Sequence, residues 1–152
     1  MIRVFLFGLI FLLSTCNKYP DGPGFSLATK KARVTRNWKI EKFFINGRDT
    51  SSVFGAFFLK IHRDESYNFY YTSQVIGNYC EEGVWSLTDK KQGLKFDYKA
   101  QDQGNGFGCE SPVAGTQNYE IRRLKSKQLW LRGISKNGDI LDFHFKSYVR
   151  QY

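Results

Sequence analysis

Two histidines, three cysteines and one glycine-rich run are the groups in this chain whose types and spacing bear on chemistry. His62 shares a strand face with Lys60, opposite Leu59 and Ile61, and His144 shares one with Asp142 and Lys146. Both are therefore expected on the solvent side of strands. No Ser or Cys falls where a nucleophile–base pair needs it, so no catalytic residue is expected and the chain reads as a non-enzyme. Gly104-Asn105-Gly106-Phe107-Gly108-Cys109 resembles a phosphate loop in composition alone. It lacks the strand-to-helix setting and the Lys-Ser/Thr pair, and reads as a loop tied down by Cys109. Cys80 and Cys109 have no His nearby and no C-x2-C spacing, so neither a metal nor a cofactor is expected. In an oxidising compartment these two thiols pair as a disulfide, and closing that loop is worth roughly 3–4 kcal/mol.

The compartment follows from the N-terminus. Met1-Ile2-Arg3 is basic, Val4 to Leu13 carries no charge, and Ser14-Thr15-Cys16 is small. That order describes a secretory signal peptide. The run is about half of the roughly 20 apolar residues a spanning helix needs. Leu13-Ser14-Thr15-Cys16 resembles the lipobox of bacterial lipoproteins, with Thr15 where that family places Ala, Gly or Ser. The resemblance implies cleavage before Cys16 and acylation of its thiol, so that the membrane is a partner through the N-terminal lipid. Asn17 stands where an Asp favours inner-membrane retention in enterobacterial lipoproteins, which points to the outer membrane. Residues 17 to about 32 hold two of the three prolines and no hydrophobic period, and read as a tether. The expected organisation is a signal peptide over 1–15, a tether over 16–32 and one domain over 33–152.

The chain has 152 residues, 23 Lys and Arg against 14 Asp and Glu, and a formal charge of +9. Its length allows one domain and no more. A basic surface attracts nucleic acid, but an exported protein seldom meets any, so no nucleic-acid partner is expected. Anionic headgroups are the more available partners. No run of bases exceeds two, so the charge reads as an evenly solvated surface.

Aromatics make up 17% of the residues, with 14 Gly and a single Met, a composition that favours strands and tight turns over helices. Period-two alternation marks eight strands: Trp38 to Ile45, Ala56 to Arg63, Tyr67 to Tyr71, Gly83 to Leu87, Leu94 to Lys99, and those beginning at Tyr119, Leu129 and Leu141. Asn46-Gly47 and Asn137-Gly138 signal hairpin turns. Leu124 breaks the period, which predicts a bulge near Arg122-Arg123. Arg33 to Asn37 has room for one helical turn. Short sequential strands with hairpin links suit an all-β, eight-stranded antiparallel up-and-down barrel. A sandwich is the alternative, and it needs longer crossing connections.

The Trp38-Lys39-Ile40 start, the Gly83-x-Trp85-x-Leu87 strand and the Tyr119-x-Ile121-x-x-Leu124 strand resemble the small lipocalin-like lipoproteins of Gram-negative bacteria. The resemblance implies an antiparallel barrel, export and lipid anchoring. Trp38, Phe57, Tyr67, Phe69, Tyr71 and Trp85 are expected inside the barrel. Phe96, Tyr98, Tyr119 and Phe143 complete the lining. Eight strands enclose a space that is either filled by side chains or holds one small ligand. Two functions follow from this. One is a lipid-anchored barrel binding a small hydrophobic or amphipathic ligand, entering past Tyr71, Tyr98 and Tyr119. The other is a filled barrel acting as a structural or protein-interaction lipoprotein. An interior cavity of about 300 Å3 or more separates the first from the second. Cys80 and Cys109 are expected in the third-to-fourth and fifth-to-sixth connections, which leave the barrel at the same rim.

Overall fold

Trp38 and Ile40, then Phe43 and Ile45, all pack against the core from one strand, β1 (Asn37–Ile45). A strict period of two cannot do this. The register against the last strand shifts between Ile40 and Lys42, a bulge that turns the later pair inward. The computed structural model describes residues 28–53, 55–73, 77–99 and 114–149. Cys16, Cys109, the tether up to residue 27 and the Gly104–Gly108 run lie outside them.

After β1 come a two-residue return, β2 (Arg48–Asp49), then β3 (Ala56–Ile61), β4 (Ser66–Ser73) and β5 (Gly77–Thr88). They are followed by β6 (Gly93–Tyr98), β7 (Gly115–Leu124), β8 (Gln128–Ile134) and β9 (Ile140–Ser147). Each of β3 to β8 pairs antiparallel with the next, β1 pairs with β3, and β9 returns to β1. β1 and β3–β9 thus close an eight-stranded up-and-down barrel, which leaves no long free edge. The expected bulge is present: the β7–β8 register shifts between Ile121 and Arg123, so that Ile121 and Leu124 both face inward. Asn46 and Gly47 take positive φ (51° and 79°) in the β1–β2 turn, as Asn-Gly hairpins require.

Three expectations need correction. The fourth predicted strand is β5, and it begins at Gly77 rather than Gly83. Cys80 accordingly sits within β5, opposite Tyr70, and not in a rim connection. The helical turn is α1 (Lys30–Val34), which starts earlier than Arg33 and takes up the last residues of the predicted tether. Thr29 caps it, its side chain accepting from the Ala32 N–H at 3.1 Å.

α1 closes one end of the barrel. That end carries the short β3–β4, β5–β6 and β7–β8 turns, and the helix reaches all three. The Lys31 ammonium lies 2.7 Å from a Glu65 carboxylate oxygen, Lys30 Nζ donates to the Lys91 carbonyl at 2.9 Å, and Arg33 donates to the Leu124 carbonyl at 3.0 Å. Val34, the last residue of the helix, and Trp38 are fully buried, and the Trp38 indole N–H donates to the Val34 carbonyl at 2.8 Å. At the opposite end the β1–β2 and β8–β9 turns are joined, Asn46 donating to Asp139 and accepting from the Ile140 N–H, each at 2.8 Å.

Candidate functional site

All ten residues expected to line the barrel do so. Trp38, Phe57, Tyr67, Tyr71, Trp85, Phe96 and Phe143 are buried in one core cluster, and Phe69, Tyr98 and Tyr119 pack against it half-buried. The alternation that places them is the ordinary period of strands with one face on a core. Four of the rings form a continuous chain. Tyr67 meets Phe96 at 4.6 Å and 61°, and Phe96 meets Tyr119 at 5.8 Å and 71°. Tyr119 meets Phe143 at 5.8 Å and 86°, and Phe143 stacks on Phe43 at 4.6 Å. These are the tilted and edge-on contacts that aromatic quadrupoles favour.

The rings fill most of the interior. The cavity between Leu59, Tyr67, Phe69, Phe96, Tyr119 and the glutamate Glu81 has a volume of about 60 Å3. That is space for about two waters at about 30 Å3 each, against the roughly 300 Å3 or more of ordinary ligand pockets. Two tyrosines expected at the mouth lean on glycines of neighbouring strands. A Cβ at Gly115 would overlap the Tyr98 ring, and one at Gly133 would come 2.7 Å from Tyr119 Cε1. Trp85 is fixed deeper, its indole N–H donating to the His62 carbonyl at 2.9 Å.

Glu81 is the residue the sequence reading missed. It points inward because it lies at even spacing from Trp85 along β5, and it accepts a hydrogen bond from the Tyr67 hydroxyl. Extending the alternation from Trp85 back through Gly83 would have found it. The cavity is thus an aromatic box with one carboxylate, able to order water or a small donor group and without a nucleophile beside it.

On the outer face, neither histidine is simply solvated. His62 is half-buried, with Nε2 3.1 Å from Asn68 Oδ1. His144 lies stacked on Trp130, with ring centroids 4.1 Å apart and planes 7° from parallel, and the Arg123 guanidinium sits 3.8 Å from the Trp130 ring centroid. Phe44 flanks His144 at 5.1 Å. Large outward rings on β1 and β8 cover it, which the alternation in β9 alone does not reveal. Burial, helped by Lys42 and Arg123, outweighs Asp142 and Glu41 and holds its pKa below the ordinary 6.5.

Cys80 alternates with Glu81 and so belongs to the outward face, yet it is only 7% exposed. Cys16 and Cys109 lie outside the described residues. Among the described residues, no three His, Cys, Asp or Glu side chains come together as a metal site would require.

No protein-family model matches the chain, and no curated protein does. Solved structures do. A lipocalin-like protein from Bacteroides uniformis is similar with a TM-score of 0.54 at 14% identity, over 76% of this chain and 99% of that one. An uncharacterised protein from Bacteroides eggerthii gives a TM-score of 0.48 at 14% identity, over 75% of this chain and 98% of the other. The first likeness concerns the fold alone: this chain forms a lipocalin-like, closed eight-stranded barrel.

Proposed function

We propose that this protein is a lipid-anchored envelope protein, held at the outer membrane by acyl chains on Cys16, whose filled barrel is a non-catalytic interaction module. The observation that carries the choice between a filled barrel and a carrier is the interior cavity of about 60 Å3. A drug-sized ligand needs several times that space. The anchor rests on the basic start, the apolar run and the Leu13-Ser14-Thr15-Cys16 sequence. Native mass spectrometry of the protein extracted gently from its own membrane tests both parts. The expected species is an acylated chain beginning at Cys16, alone or with a second protein. A small molecule retained at one equivalent overturns the filled-barrel reading, and a soluble chain starting elsewhere overturns the anchor.

A second reading is a barrel for a small amphipathic molecule with a positively charged head. It is favoured by Glu81, a carboxylate directed among aromatic rings, where a cation gains from both. It requires the rings around the cavity to part.

The proposed disulfide joins Cys80 to Cys109. What supports it is the burial of Cys80 on an outward face, where a solvent-facing thiol would otherwise be expected. In the sequence Cys109 belongs to the connection that follows β6, and β6 is the immediate neighbour of β5. Peptide mapping without reduction is expected to recover the two cysteines in one linked species. Two alkylatable thiols in protein matured in the envelope would sink the pairing.

A further inference from the structure

The bases that look scattered along the sequence are gathered by the fold at one end. α1 brings Lys30 and Lys31, and Arg36 follows it. The β3–β4 turn adds Arg63, the β5–β6 turn adds Lys90 and Lys91, and the β7–β8 turn adds Lys125 and Lys127. Against these eight bases the same end holds three acids, Asp64, Glu65 and Asp89, and Glu65 is engaged by Lys31. At the opposite end the described residues are nearly balanced: Arg48, Lys99 and Lys136 face Asp49 and Asp139. Of these eight, Lys30 is half-buried and the other seven are exposed, while Arg33 of α1 is buried and stands outside the count.

Two further observations bear on this end. The chain enters the barrel here, at Ala28 and α1, so any attachment through the preceding 27 residues starts from the basic face. The turn that presents Lys90 and Lys91 is held in the left-handed region at three successive non-glycine residues, Asp89, Lys90 and Lys91, with φ of 49°, 53° and 71°. Such a conformation costs free energy at each residue, and glycine would avoid it.

We infer that the closed end of the barrel is a docking surface for an anionic membrane, its lysines and arginines meeting the phosphates of lipid headgroups. The proposed anchor on Cys16 accounts for this end being the near one, and in that respect the inference rests on it. The basic face then sets the orientation that a lipid on a tether alone leaves free. The barrel stands upright, with the β1–β2 and β8–β9 turns directed away from the lipid. Each base near an anionic surface gains about 1 kcal/mol, or roughly fivefold in occupancy, and salt weakens it.

The test is amine acetylation of the full-length protein as it matures, reconstituted on vesicles of phosphatidylcholine alone or of phosphatidylcholine with phosphatidylglycerol. Labelling of Lys90, Lys125 and Lys127 is expected to slow by about fivefold on the anionic vesicles, and to recover at high salt. Lys99 and Lys136 are expected to react equally on both. Changing Lys125 and Lys127 to Gln is expected to reduce the protection read at Lys90, and both lie in an exposed turn where the barrel does not depend on them. Equal labelling on the two vesicle types overturns the proposal. So does protection that ignores the two substitutions, or equal protection by inorganic phosphate without vesicles. Intact mass of the same preparation reads acylation separately. An unacylated chain that floats with anionic vesicles and shows the salt-sensitive protection removes the anchor and leaves the surface. An acylated chain without protection removes the surface and leaves the anchor.

Discussion

His144 stacks on Trp130 in its neutral form, and this gives it a defined effect on stability. Its pKa is lowered in the folded state by burial, with Lys42 and Arg123 adding to the effect. The unfolded chain, titrating near 6.5, therefore takes up the proton first as pH falls. The contribution of His144 is whole above that value, declines as pH drops towards the folded pKa, and is level below it. Urea midpoints compared between about pH 8 and pH 5 are expected to fall further for the wild type than for His144→Gln. A second residue-scale expectation concerns the inward tyrosines. Tyr67→Phe removes the donor to Glu81 and is expected to cost about 1 kcal/mol in urea unfolding, more than Tyr98→Phe at the rim. The ten lining residues were legible because each sits in a run of strict alternation. Glu81 was not, because Gly83 looks like a strand start and hides the inward position before it.

At the scale of elements, the β5–β6 turn is expected to tolerate glycine better than its own sequence. Lys90→Gly relieves a φ of 53° and is expected to raise stability by roughly 1 kcal/mol, read as a higher midpoint in thermal unfolding. The same change is expected to weaken membrane docking, so stability and docking part company at one residue. Trp85→Ala, by contrast, empties the space below the cavity and is expected to cost roughly 3–5 kcal/mol. Strand order and the β7 bulge could be read from the sequence, since Ile121 and Leu124 sit one residue out of phase. The β1 bulge leaves the same mark between Ile40 and Phe43, but Phe44 between two inward residues blurs it. The start of α1 is not legible, because Lys30 and Lys31 carry no apolar period. Its stability comes from the three turns it touches, which no local pattern contains.

The whole molecule shows why charge was the least legible property. Lys31, Arg63, Lys90 and Lys125 are far apart in the chain and share one end only because the strands run up and down. The barrel is also unevenly fastened. β3 is bonded to β4 along its full length, from Ala56–Thr72 to Ile61–Tyr67, and β1 to β9 from Trp38–Ser147 to Ile45–Leu141. β1 and β3 are joined only over Asn37–Lys39. Beyond that point a recess of about 290 Å3 opens between Ile40, Phe43, Ser51, Ala56 and Phe57. Thermal opening follows the weakest seam, so hydrogen exchange is expected to release the first amides of β3 at a lower free energy than those of β4 and β5. The wall then works like a clasp fastened at its base, and the upper part of the β1–β3 seam is where it is expected to part first.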